Sequence, residues 1–229
     1  MIISHKHRFI YIKVRKTAGT SIEIALSRIC GQEDVITPIS KQDEQKRQEL
    51  GFPTAQNYDI PRAKWLRKDR INYWMNGFEK PRFYNHMPAG EIAQYVDEQV
   101  WNSYFKFTLD RNPFDKVVSL YYFRGGHKQY DSISDFIKGG GLNKIKSFGM
   151  YSIDNLLAVD EIYCYEDLPF FERDISERLG LSEPFQLTSY RAKGNHRVVK
   201  DYKDILDPEA IEMVKVIFAR EIQLLGYRY

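Results

Sequence analysis

Residues 15–21 read RKTAGTS, directly after the β-rich run FIYIKV (9–14) and directly before a helical pattern. Ile22, Ala25, Leu26 and Ile29 recur at i, i+3, i+4 and i+7, one face of a helix. Thr20 or Ser21 can cap that helix and Gly31 can end it. Strand, Gly-containing turn and helix in this order present the amides of Gly19, Thr20 and Ser21 at a helix N-terminus, where the macrodipole favours an anion. Lys16 adds a mobile positive charge and the two hydroxyls add donors, so the segment can cradle a phosphate. The ATPase pattern GxxxxGK(S/T) places its Lys after the last Gly; here Thr20 follows Gly19, and Lys16 precedes it. A capped helix after a tight turn uses the same residues, so this stretch alone leaves both readings open.

A second junction carries the same chemistry. YFKFTL (104–109) reads as a strand, and DRNP leads straight into a helix with Asn112 as N-cap and Pro113 at its first position. Arg111 then sits at the C-terminal end of a strand, where open α/β sheets bind ligands, and Ser119 follows two turns into the helix. A guanidinium fork there suits a second phosphate; neutralisation by Asp110 or Asp115 is the alternative. For a general base at neutral pH, histidine is the natural side chain. His5 and His7 lie in a basic lead that reads as surface, His127 follows a Gly-Gly break, and His196 sits in a basic irregular stretch. His86, in FYNHMPAGE, precedes a Pro-started helix and is the candidate base. Asp43 and Glu44 are the carboxylate alternatives, although KQDEQKRQE (41–49) reads as a short solvated helix. No HExxH or Cys/His cluster is present, so a metal is not expected.

These elements must be positioned by the rest of the chain. Its 229 residues, 43% hydrophobic, suffice for one domain with a real core. Lys and Arg number 34 against 31 Asp and Glu, too near balance for bulk nucleic-acid binding. Any anionic ligand must therefore be held locally. Cys30 and Cys164 read as small buried hydrophobes of a reducing compartment. No apolar run approaches the roughly 20 residues of a membrane span, and residues 1–16 lack a signal-peptide core, so a cytoplasmic location is expected.

Strands at 9–14, 104–109 and 161–165 alternate with helices, which predicts an α/β fold with a central parallel sheet. The chain is read as one domain, 1–229. Residues 32–82, polar and broken by Pro38, Pro53, Pro61 and Pro81, read as a variable insertion over one end of the sheet, forming a lid or acceptor wall. Within it Tyr58, Trp65, Tyr73 and Trp74 interleave with Arg62, Lys64, Arg67 and Lys68, either to stack on a sugar or to form the insertion's own small core. LPFFERDISERLGL reads as a helix closed by Gly180, residues 181–204 are irregular and basic, and Asp207-Pro208 open a last helix carrying Ile211, Val214, Phe218, Ile222 and Leu225 inward.

Taken together, YIKVRKTAGTSIE and LDRNPFDKVVSLYY resemble the PAPS-dependent sulfotransferases (PAPS, 3′-phosphoadenosine 5′-phosphosulfate). The likeness is greatest to the carbohydrate branch, with heparan sulfate 2-O- and chondroitin sulfotransferases, and to bacterial relatives. YEDL (165–168) and the terminal LLGYRY add to it. The resemblance implies a P-loop-like three-layer fold with an inserted helical or irregular lid. In it, a Lys-x-x-Gly-Thr-Ser loop binds the 5′-phosphosulfate, and an Arg and a Ser eight residues apart bind the 3′-phosphate. Donor binding is thereby assigned to Arg15, Lys16, Thr17, Gly19, Thr20, Ser21, Arg111 and Ser119. Within the basic segment RAKGNHRVVK (191–200), Lys193 is the residue of choice. Lys16 and His86 would be catalytic, the latter because the family places its histidine base between the two phosphate motifs. The family's NPxxR has Lys116 in place of Arg.

The implied reaction moves a sulfuryl group from PAPS to a hydroxyl of a saccharide or small metabolite, releases adenosine 3′,5′-bisphosphate and needs no metal. A nucleotide-dependent kinase and a non-catalytic binder of anionic glycans are the competing readings. The first would require Mg²⁺, and the second would dispense with Lys16 and His86.

Overall fold

The computed structural model describes residues 1–143, 145–188 and 201–229. In chain order the elements are β1 (Ile2–Ser4), β2 (Phe9–Ile12), α1 (Gly19–Ser27), β3 (Val35–Ile36), α2 (Lys41–Glu49), α3 (Arg67–Met75), α4 (Ala89–Ile92) and α5 (Glu98–Ser103). There follow β4 (Phe105–Asp110), α6 (Pro113–Phe123), α7 (Ile133–Lys138), β5 (Ser152–Ile153), β6 (Leu156–Leu157), β7 (Glu161–Cys164), α8 (Leu168–Arg178), α9 (Pro208–Ile217) and α10 (Ala219–Leu225).

The main sheet runs β3-β1-β2-β4-β7. The expected parallel centre is there: β2 pairs parallel with β4, and β4 with β7. The outer half differs, because β1 lies antiparallel to both β2 and β3. The basic lead is therefore half of a hairpin, with Ile2 and Ile3 buried and the charged residues confined to its turn. Three residues of strand are too short to show a period, which is why the sequence hides β1.

Alternation along β2 divides the core. Phe9 and Tyr11 join Phe107, Leu109 and Tyr163 on the face covered by α1 and α8, through Ile22, Leu26, Phe171 and Ile175. Ile10 and Ile12 turn to the other face and pack with Ile60, Trp65, Phe83, Met87 and Ile92. Residues 32–82 thus do more than overhang the strand ends: they supply the edge strand β3 and part of the second face's cover. A third cluster joins α6, α7 and α9 through Val117, Phe136, Ala210, Val214 and Phe218.

Three local expectations shift. The helix of 41–49 forms with Ser40 as its cap, yet Asp43 and Arg47 are buried, so it is not a wholly solvated face. Pro88 is the N-cap of α4 instead of its first residue. The last helix breaks at Phe218, and beyond the break Glu221 turns inward to accept hydrogen bonds from the Ser147 and Phe148 amides. Among the described residues, no helix is long and apolar enough to cross a membrane.

Candidate active site

The loop after β2 is shaped from beneath. Lys13 is buried and its ammonium donates to Glu23 of α1 at 2.6 Å; the Met1 amino group donates to the other oxygen at 2.9 Å. Burial alone would raise the Glu23 carboxyl, but these two cations hold it at about 2. The pair ties the strand end to the helix. Gly19 is what lets them approach: a Cβ there would lie 2.8 Å from Lys13 Cγ and 3.3 Å from the Tyr11 hydroxyl.

Lys16 and Ala18 both take positive φ, 64° and 54°, a conformation costly for side-chain-bearing residues and concentrated at ligand-clamping turns. Ala18, not Thr20 or Ser21, is the N-cap of α1, and no side chain caps the helix. The reason is the left-handed Ala18, which makes Gly19 the first helical residue and leaves both hydroxyls inside the first turn. By contrast Ser40, Asn112, Ser132, Asp167 and Asp207 cap α2, α6, α7, α8 and α9. The first turn of α1 also holds no acidic residue. An α-helix leaves its first amides without intrahelical partners, so this end is set up for an anion. Thr17 is buried and spends its hydroxyl on the Val14 carbonyl at 3.2 Å, so the side chain closes the loop. Arg15 is exposed.

Parallel pairing of β2 with β4 brings the second junction alongside. Arg111 donates through Nη1 to the Lys16 carbonyl at 3.3 Å, so the two candidate phosphate motifs lie side by side. Its Nε and Nη2 hold Asp115 at 2.7 and 2.5 Å, and the guanidinium lies 4.4 Å from the centre of the Tyr165 ring. Asp110 is occupied elsewhere, by Lys116 at 2.6 Å and the Tyr151 hydroxyl at 3.0 Å. Lys116 is buried there, bracing the end of β4 at the position where the resemblance expects Arg.

Along α6, Asp115, Ser119 and Phe123 recur every four residues and so share a face. Asp115 touches Arg111, and Phe123 takes the Lys16 ammonium 4.1 Å from its ring centre. Ser119 lies between them, and its hydroxyl has no hydrogen bond among the described residues. The neutralising contact of Arg111 left open by the sequence is made by Asp115; Tyr165 and Phe123 had no assigned part in the site, and only the i, i+4 step from Ser119 to Phe123 could have signalled one of them.

His86 reaches the same strand end from the other side. Its Nδ1 lies 3.0 Å from the Lys13 carbonyl, and its own φ is 62°. A carbonyl can only accept, so Nδ1 carries the proton and Nε2 the lone pair. Burial, and after it the Lys13 ammonium, push the imidazole down to about 3. The ring is a neutral base throughout the physiological range, which replaces the unperturbed titration that neutral-pH reasoning assumes. The carboxylate alternatives are engaged around the start of α2: Asp43 accepts from Ser40 at 2.6 Å, and Glu44 from the Ile39 amide and Arg47 at 3.0 Å each. His5 bonds Tyr104, and His127 packs on Tyr122. Lys193 and the rest of 191–200, His196 included, lie outside the described residues.

With this geometry in place, comparison with known proteins is decisive on one point: residues 1–173 match the Sulfotransferase family. The chain belongs to that family. The match runs through residues 32–82 and stops inside α8, before the basic segment and the last two helices. An uncharacterized protein of Archaeoglobus fulgidus is 30% identical over 120 residues, 49% of this chain and 99% of that protein. No solved structure matches the chain. The uncapped amides of α1, Lys16 and Arg111 lie within the region matched to the family. Of the aromatic residues in 58–74, Trp65 is core, with its indole N–H donating to Ile60, whereas Trp74 stands exposed.

Proposed function

We propose that this sulfotransferase takes its sulfuryl group from PAPS and delivers it to a hydroxyl of a saccharide or small metabolite, releasing adenosine 3′,5′-bisphosphate. The observation that carries the reading is the contact of Arg111 with the Lys16 carbonyl, which places a guanidinium, held by Asp115 until a phosphate takes its place, beside helix amides for a second anion. The donor set fits a bis-anionic nucleotide: α1 has neither a capping side chain nor an acidic first turn. When bound, PAPS supplies an activated sulfuryl group with a bisphosphate leaving group.

Every other part falls to this chain. The amides of Gly19, Thr20 and Ser21, with their hydroxyls and Lys16, hold the 5′ side, while Arg111 and Ser119 hold the 3′-phosphate. Arg15 and the backbone at Thr17 line the same loop, and Lys193 is proposed to reach it from the basic segment. His86 Nε2 takes the proton of the acceptor hydroxyl as that oxygen bonds to sulfur. Lys16 stabilises the charge that returns to the leaving phosphate. No metal enters this scheme, and the chain is proposed to act as one cytoplasmic domain over 1–229.

Thermal denaturation in the presence of a chelator tests it. Adenosine 3′,5′-bisphosphate at about 100 times its Kd stabilises by roughly 2.7 kcal/mol, a rise of about 5–10 °C for a chain this size. A larger rise with ATP and Mg²⁺ would overturn the donor assignment in favour of a kinase.

A further inference from the structure

Helix α3 turns its apolar stripe the wrong way for a core. Ile71, Trp74 and Met75, at i, i+3 and i+4, are 50%, 70% and 75% exposed, and Phe78, in the turn just beyond the helix, is 56% exposed. The side chains it sends inward are the buried Asp69, which accepts from Leu66 N and the Tyr95 hydroxyl, and the half-buried Tyr73. The stripe is held in shape: Trp65 meets Tyr73 at 4.9 Å, Tyr73 meets Phe78 at 5.2 Å, and Phe78 meets Trp74 at 5.6 Å. A buried indole thus anchors a projecting one.

Charge gathers around that stripe. Arg62, Arg67, Lys68, Arg70 and Lys80 are exposed and have no carboxylate partner among the described residues. Lys64 and Arg82, by contrast, are paired with Asp97 and Asp59, each at 2.7 Å. Against them residues 62–80 carry Asp69 and the exposed Glu79, so the stretch is net positive in a chain that is only +3 as a whole.

We infer that this face docks on an anionic lipid bilayer, with Trp74, Met75 and Phe78 entering the headgroup boundary and the five cations lying against acidic headgroups. An amphipathic element with aromatic and aliphatic tips and a basic flank has that chemistry. A second copy of the chain would bring like charges together, and four apolar side chains fall far short of the 20–30 residues a side of a stable interface. A soluble polyanion would use the cations and leave the apolar tips uncovered. The inference is independent of donor and acceptor identity.

Cosedimentation with vesicles tests it, comparing phosphatidylcholine alone with phosphatidylcholine containing about one-third phosphatidylglycerol. The whole chain is expected to partition to the acidic vesicles, less so in high salt, with a blue shift of tryptophan emission from Trp74. Replacing Trp74 and Met75 by Ser should weaken partition about tenfold or more. The triple change Arg67→Gln, Lys68→Gln and Arg70→Gln should weaken it by roughly fivefold per cation. All five side chains are exposed, and unchanged melting temperatures certify the fold. Equal partition to the two vesicle types, or variants that partition like the parent, would overturn the proposal. So would a dimer that Trp74→Ser dissolves. Capture by a soluble sulfated polysaccharide with no vesicle binding, unaffected by the Ser pair, would assign the face to a glycan instead.

Discussion

Replacing His86 by Asn separates proton transfer from positioning more cleanly than replacement by Ala. The residue sits at φ 62°, where Asn is at home and Ala is strained. Asn also keeps a group able to bond the Lys13 carbonyl. If His86 is the base, His86→Asn keeps the melting shift given by adenosine 3′,5′-bisphosphate and slows turnover about 10²–10⁴-fold. The pH dependence is sharper still. An unperturbed imidazole near 6.5 would be about 3% neutral at pH 5 against about 76% at pH 7, a fall in kcat/KM of roughly 25-fold. With the free-enzyme value at about 3, this group contributes almost no fall over that range. The choice of kcat/KM matters, because it reports the free enzyme, whereas a bound polyanionic donor would raise the value seen in kcat.

Linkage gives a second readout that needs no acceptor. The folded value lies below the unfolded one, so the unfolded chain binds the extra proton. The stability associated with neutral His86 is complete above about pH 6.5 and drains away as the pH falls toward 3. The slope from one group is at most about 1.4 kcal/mol per pH unit, or roughly 3–6 °C per unit for a chain this size. Melting temperatures from pH 7 to 4, wild type against His86→Asn, should show the wild type losing more. Ring-proton NMR should place the titration below pH 5. An imidazole that titrates near 6.5, or an Asn variant with the wild-type slope, would refute the account of its environment; near-normal turnover would refute the base.

Two further outcomes follow from the loop. Arg111→Ala should abolish most of the bisphosphate melting shift while leaving the weaker response to adenosine 5′-phosphosulfate, which lacks the 3′-phosphate, about unchanged; a variant that still discriminates the two would make Arg111 purely a partner for Asp115. Gly19→Ala should cost about 1–3 kcal/mol by overpacking, seen as a melting temperature lower by roughly 2–12 °C, because Lys13 is pinned by Glu23 and cannot yield to a Cβ at 2.8 Å.

Why some of this was legible in the sequence and some was not follows from where each cause lies. The candidate phosphate loop and the Arg111 junction are built from neighbours in sequence, so strand, turn and helix signals locate them within a few residues. Cover for the sheet is a different matter. Ile10 and Ile12 demand a second layer, but the residues that answer, from Ile60 to Ile92, are distant and embedded among charges. The Lys13–Glu23 pair is concealed for the same reason, since a charge ending a strand and a charge in an apolar helix stripe each look like surface until the two are seen face to face. His86 shows the limit most clearly: its position between the motifs was readable, whereas its tautomer and its depressed basicity come from a carbonyl and an ammonium 73 residues away. Both belong to Lys13. One residue therefore packs beneath Gly19, anchors α1 through Glu23 and fixes the imidazole through its backbone, so the candidate anion loop and the candidate base are set by the same strand end. A change that moves that strand end should disturb donor binding and proton transfer together, whereas the His86 and Arg111 variants should divide them.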